Sequence, residues 1–277
     1  MQYILAAVMG LVEGLTEFVP VSSTGHLILA DHFLGFQEVV GEDAAKTFEI
    51  VIQFAAILAI VAAYPGRFAR LCDWRAREGF AGIRGLALLA ITSIPAGLLG
   101  LVARSKIKEY LFSPWPVVAA LCVGAIWILA VERFARRSRV DELDRVGWRQ
   151  ALAVGFWQCL ALWPGMSRSS STILGGMMSG VGRKTATEYS FFAAVPLIAA
   201  ATVYELYKSR DFLTAQHLPL FLVGSAVSFV SAWASVRFLV RFLGSHTLSP
   251  FGWYRLGASA LFVAMVLSGL INLSAGQ

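Results

Sequence analysis

The stretch "EGLTEFVPVSSTGH", Glu13–His26, places two carboxylates, four hydroxyls and an imidazole inside an apolar run that begins at the first residues. Pro20 lies near its centre. Proline removes a helical hydrogen bond and disfavours helix in the residue before it. Gln2–Phe36 therefore reads as a helix, a polar turn and a short second helix. The part "SSTGHLILADHFLG" makes a helix of about 12 residues, roughly 18 Å long at 1.5 Å per residue, or about half a bilayer. Trp148–Gly182 is built alike: it breaks at Pro164–Gly165 and continues with "SSSTILGGMMSG" (Ser169–Gly180).

The rest of the chain supplies the matching solvent. Of 277 residues 57% are hydrophobic and 14% charged, and the mean hydropathy is +0.68. These values belong to the membrane class. Lys and Arg outnumber Asp and Glu by 23 to 17. On a membrane protein such an excess marks loops beside anionic lipid, and nothing here resembles a basic nucleic-acid module. Cys72, Cys122 and Cys159 are too scattered for a disulfide framework or a zinc site. The opening run lacks a basic leader and a small-residue cleavage site, so no cleaved signal peptide is expected.

Six uninterrupted runs can cross a hydrocarbon core: Lys46–Tyr64, Ile83–Ala103, Trp115–Phe134, Thr185–Tyr207, Leu218–Val240 and Phe251–Leu273. The sequence also repeats. Pro20 with Ser22, Ser23 and Thr24 matches Pro164 with Ser167, Ser169 and Ser170; "KTFEIVIQFAA" (Lys46–Ala56) matches "KTATEYSFFAA" (Lys184–Ala194); "SPW" at Ser113 matches "SPF" at Ser249. Each half holds one broken hairpin and three spans. A re-entrant hairpin leaves crossing parity unchanged and three spans invert it, so the second half enters upside down. The expectation is an all-α polytopic membrane protein, a single domain over 1–277, with an inverted-topology repeat (1–140 and 141–277), six transmembrane helices and two re-entrant hairpins. Arg67, Arg70, Arg75, Arg77 and Arg84 lie in one loop, and Arg133, Arg136, Arg137, Arg139, Arg145 and Arg149 in another two spans later. The loop between them carries Arg104, Lys106 and Lys108. Positive-inside reasoning puts the two Arg-rich loops in the cytoplasm, so the first hairpin enters from outside.

The half-helices explain the hydroxyls. A helix N-terminus has unpaired N–H groups and a positive dipole end, and it favours anions, phosphate above all. Ser22, Ser23 and Thr24 open one such end and Ser167, Ser169 and Thr172 the other, with Arg168 able to fork onto phosphate oxygens. Glu13 and Glu17, four apart, share a helix face. Carboxylates in a membrane are costly. Beside phosphate they make sense with a divalent cation, Mg²⁺ or Ca²⁺, between them. His26 follows Ser23 by three residues and can share its face. A hydroxyl, an imidazole, an arginine and a metal-type carboxylate pair are the parts of hydrolytic phosphoryl transfer. Ser23 with His26 as base, His26 itself, or water can each be the nucleophile; the helix N-terminus favours Ser23.

"EGLTEFVPVSSTGH" and "PGMSRSSST" resemble the two signature segments of the undecaprenyl-diphosphate phosphatase family, also called the bacitracin-resistance protein family, and "FGWYR" resembles its C-terminal arginine segment. The resemblance runs along the whole chain. It implies removal of the terminal phosphate of a polyprenyl diphosphate lipid, in the bacterial inner membrane, by a site facing the extracytoplasmic side. It also implies that Glu13 and Glu17 are the glutamate pair, Ser23 and His26 the Ser–His pair, Ser167, Arg168 and Thr172 the phosphate segment and Arg255 the distal arginine. Homodimerisation stays open.

Blander roles compete. The serines also suit helix caps, and Arg255 could snorkel to an interface. Glu49, Gln53, Gln158 and Glu188 read as structural. The alternative function is an inverted-repeat transporter of an anion or lipid phosphate.

Overall fold

The computed structural model describes residues 1–111, 113–134, 138–208 and 217–268, without the side chains of Arg104, Lys108 and Pro114. Arg136, Arg137 and the end of the sixth expected span lie outside the described residues. Among those residues the chain is all-helical, and β pairing is confined to an isolated bridge between Val140 and Val181. The helices are α1 (Gln2–Thr16), α2 (Ser23–Leu34), α3 (Phe36–Val40), α4 (Glu42–Ala63), α5 (Pro65–Cys72), α6 (Gly82–Leu111), α7 (Pro114–Phe134), α8 (Trp148–Gln158), α9 (Arg168–Met178), α10 (Arg183–Lys208), α11 (Leu218–Phe242) and α12 (Ser249–Leu267).

Helices α4, α6, α7, α10, α11 and α12 are long and apolar enough to cross a membrane. They coincide with the six expected spans, although α6 runs on to Leu111. Their outer faces expose Leu, Ile and Val, such as Ile94, Leu101, Ile126, Val230 and Leu261. That surface suits lipid, and the protein is a multi-pass membrane protein. The chain breaks where Pro20 and Pro164–Gly165 require it: α1 ends at Thr16 and α2 starts at Ser23, while α8 passes through a 3₁₀ turn, Cys159–Leu162, before α9 begins at Arg168.

Small residues set the packing. Helix α11 lies against α1 and α4, α6 lies against α8 and α10, and α7 pairs with α12. A Cβ at Gly10 would overlap the Gly224 carbonyl of α11, and one at Gly155 would overlap the Thr92 backbone of α6. Backbones approach closely at such points, which is how membrane helices associate when water supplies no driving force. The main core gathers Phe18, Ile57, Ile60, Ile173, Phe191 and Val236.

One connecting region is welded by Asp144. Its carboxylate accepts from Arg67 Nη1 and from the Phe80 N–H, both at 2.8 Å. Arg84 Nη2 reaches the Val146 carbonyl at 2.9 Å. At the far end of α7 the buried Glu132 pairs with Arg183 and accepts the Leu248 N–H at 2.7 Å, which holds the starts of α10 and α12 together.

Candidate active site

Helices α2 and α9 start side by side in the buried interior. Each is capped by a serine in the left-handed region, Ser22 at φ 74° and Ser167 at φ 72°. Such values are uncommon for a residue with a side chain and cost about 1–3 kcal/mol. Each cap hydroxyl accepts from the amide three residues on, Gly25 at 3.4 Å and Ser170 at 3.3 Å. The hydroxyls of Ser169 and Ser170 donate to the carbonyls of Val19 and Pro20, both at 3.1 Å, so the second turn is pinned to the first.

Arg255 locks the junction. It is fully buried. Its Nε donates to the Leu121 carbonyl, Nη2 to those of Ala120 and Gly165, and Nη1 to those of Pro20 and Met166 and to Ser170 Oγ, at 2.8–3.4 Å. Every guanidinium donor is thus directed at the protein. Gly124 makes the space, because a Cβ there would overlap the guanidinium. The sequence reading gave Arg255 as the distal arginine that the resemblance implies or as a snorkelling side chain; here its donors hold the two turns together.

Glu17 stands at the centre. Ser23 Oγ donates to its Oε2 at 2.6 Å, and Arg168 Nη2 donates to its Oε1 at 2.8 Å. All three side chains lie in the interior, Glu17 at 5% and Arg168 at 11% exposure. Arg168 Nη1 also reaches Ser190, whose hydroxyl pairs with Thr172 at 2.6 Å, and its Cζ lies 5.7 Å from the centre of the Phe18 ring. Two features stay open: Arg168 Nε and both oxygens of Glu13 are buried with no hydrogen-bond partner among the described residues. A buried carboxylate without a donor is rare and costly.

Both ring nitrogens of His26 are engaged by groups other than Ser23. Nδ1 lies 2.7 Å from the Ser22 carbonyl, and Nε2 lies 2.6 Å from the Tyr254 hydroxyl. The proton of Ser23 is therefore directed at Glu17, where the sequence reading had placed His26 as base. Thr24 faces outward and is exposed. Ser22, Ser167, Ser169 and Thr172 are buried around the paired helix starts. Sequence reasoning gave no role to Tyr254 or Ser190 and named Ser170 only as part of the repeated hydroxyl cluster. Tyr254 adjoins Arg255 in "FGWYR" and Ser170 lies in the serine run, so both carried a local signal, whereas Ser190 sits in an apolar span with none.

The sequence model of the family described as "Bacitracin resistance protein BacA" matches residues 6–261. The chain belongs to this family. A relative named "Undecaprenyl-diphosphatase" from Nitratidesulfovibrio vulgaris (strain DP4) is 53% identical over 258 residues, 93% of this chain and 96% of its own. Another so named, from Nitrosomonas eutropha, is 44% identical over 99% of this chain and 98% of its own length. A third, from Aromatoleum aromaticum, is 46% identical over 92% of this chain and 91% of its own. The family match takes in both capped turns, the Ser23–Glu17–Arg168 chain and Arg255.

Proposed function

We infer that this protein is an undecaprenyl-diphosphate phosphatase. It hydrolyses undecaprenyl diphosphate to the monophosphate and inorganic phosphate, which returns the lipid carrier to cell-wall synthesis. The observation that carries this reading is the bonded chain Ser23–Glu17–Arg168 between two helix N-termini. Family and relatives supply the substrate class.

Each residue has a task. The terminal phosphate is taken by the N-terminal amides of α2 and α9 and by the Arg168 Nε–H, which is buried with no hydrogen-bond partner among the described residues. Ser23 Oγ attacks phosphorus, and its proton passes along the 2.6 Å bond to Glu17. Undecaprenyl monophosphate leaves, and water hydrolyses the phosphoserine. Arg168 orients Glu17 in the resting protein and stabilises charge on the transferred group.

Glu13 suits a divalent cation, Mg²⁺ or Ca²⁺, because both its oxygens are buried and without a hydrogen-bond partner among the described residues, and hard cations take carboxylate oxygens. Glu13 and Glu17 would hold it, and when bound it supplies charge neutralisation on the diphosphate. Among the described residues no cluster of three or more His, Cys, Asp or Glu is formed, so the protein offers a carboxylate pair and no closed cage.

The proposed architecture is an inverted repeat of 1–140 and 141–277 with two re-entrant hairpins. The equivalent strained caps Ser22 and Ser167 support it. So does the exchange of partners between the halves: α1 of the first packs on α11 of the second, and α8 of the second packs on α6 of the first, each around a glycine crossing at Gly10 or Gly155. With the Arg-rich loops in the cytoplasm, the α1–α2 hairpin opens on the extracytoplasmic side of the bacterial inner membrane. Phosphate release from undecaprenyl diphosphate by purified protein in detergent tests the activity. A transporter would leave the diphosphate intact there, since detergent leaves no barrier to cross.

A further inference from the structure

His26 and Tyr254 are unused by the first chemical step. A carbonyl oxygen only accepts, so the 2.7 Å contact with Ser22 assigns the hydrogen to Nδ1. In the neutral ring Nε2 is then the acceptor, and Tyr254 O–H donates into it at 2.6 Å. The two rings are nearly parallel, 7° apart. Tyr254 is 48% exposed. Its neighbour Arg255 is anchored on both broken turns, so the start of α12 cannot drift from the start of α2. The result is a fixed line from the Ser22 carbonyl through imidazole to the hydroxyl of a half-exposed tyrosine near the start of α12.

We propose that Tyr254 and His26 form a proton relay that serves hydrolysis of the Ser23 phosphoester and not its formation. The proposal rests on the phosphatase reading with Ser23 as nucleophile. In the second step a water oxygen bonds to phosphorus while the P–Oγ bond of phosphoserine breaks. The water proton passes to the Tyr254 oxygen as the Tyr254 proton moves to Nε2. Ser23 Oγ leaves with the proton that Glu17 took in the first step. The imidazolium, held at Nδ1 by the Ser22 carbonyl, afterwards returns its proton through Tyr254 to solvent. A positioned base contributes about 10²–10⁴-fold to such a transfer.

The test is Tyr254→Phe, which keeps the ring and removes only the hydroxyl. Purified protein is mixed with terminally ³²P-labelled undecaprenyl diphosphate and quenched in acid at intervals. Steady-state phosphate release should fall at least about tenfold, with acid-stable phosphoserine accumulating on Ser23 and the first burst of lipid monophosphate kept. Adding Tyr254→Phe to His26→Ala should cost less than threefold more, because both changes break one relay. Equal slowing of burst and steady state, turnover at the wild-type rate, or independent effects in the double variant would each overturn the relay while leaving the phosphatase reading intact. A wild-type protein that releases no phosphate would instead sink that reading. Unchanged elution and thermal unfolding of Tyr254→Phe separate a relay defect from a folding defect.

Discussion

Arg255→Lys separates a clamp from a substrate ligand. The wild-type guanidinium meets six acceptors, five of them main-chain carbonyls, with no exposure to solvent. Lysine keeps the charge but has only three donors. At least three hydrogen bonds from a buried charged donor are then lost, each worth about 1.5–3 kcal/mol. The lower bound is about 3 kcal/mol after some relaxation. At roughly 2–4 °C per kcal/mol for a chain of this size, the melting temperature should fall by ~6–12 °C. Unfolding followed by tryptophan fluorescence in detergent measures it. Turnover should drop with it, because Pro20 and Gly165 fix where α2 and α9 begin, while KM for the diphosphate should stay within about threefold of wild type. Unchanged melting with a large rise in KM would refute the reasoning and return Arg255 to the substrate.

Arg168→Lys should lose roughly 2–4 kcal/mol of transition-state stabilisation, since the ammonium cannot hold Glu17 and phosphate together in the planar fork; kcat/KM within threefold of wild type would show that charge alone suffices. Burial pushes the Asp144 carboxyl up, but the Phe80 N–H, the Arg67 hydrogen bond and the charges of Arg67 and Arg70 outweigh it and hold its pKa below the usual Asp value. Its contribution to stability is therefore present above the unfolded pKa of about 3.9 and lost as pH falls through the lower folded value. Melting curves between about pH 5 and pH 3 should show this acid loss in wild type and less of it in Asp144→Asn; identical acid sensitivity would dismiss the Asp144 weld. After replacement of Cys72, Cys122 and Cys159, cysteines placed at Arg75 and Arg145 should resist an impermeant thiol reagent in intact cells, and labelling of either would reverse the orientation.

The sequence revealed the six spans because membrane helices advertise length and apolarity. It revealed both breaks because Pro20 and Pro164 leave the backbone no other course. Glu13, Glu17, Ser23 and Arg168 were legible because ionised and hydroxyl side chains need a reason to sit among so many apolar residues. The partner of each was not legible. Spacing on α2 paired Ser23 with His26, but the left-handed φ of Ser22 turns its carbonyl toward Nδ1, and the Glu17 carboxylate reaches Ser23 from across the turn. Neither a strained cap nor a contact between residues 228 apart, such as His26 with Tyr254, can be read from local pattern. Arg255 was noticed for its charge, but its role depends on the missing side chain at Gly124. The short α5 was missed because its cationic face resembles a loop.

The central claim is that Ser23, poised on Glu17, attacks the terminal phosphorus. Its most direct measurement is the initial rate of phosphate release from undecaprenyl diphosphate by purified wild type and by Ser23→Ala and Glu17→Gln, each confirmed folded by thermal unfolding. The account predicts turnover in wild type, release near the protein-free background in Ser23→Ala, and a loss of at least about a hundredfold in Glu17→Gln, the lower range for losing a positioned base. Ser23→Ala working within tenfold of wild type would contradict the account and leave water or His26 as the nucleophile.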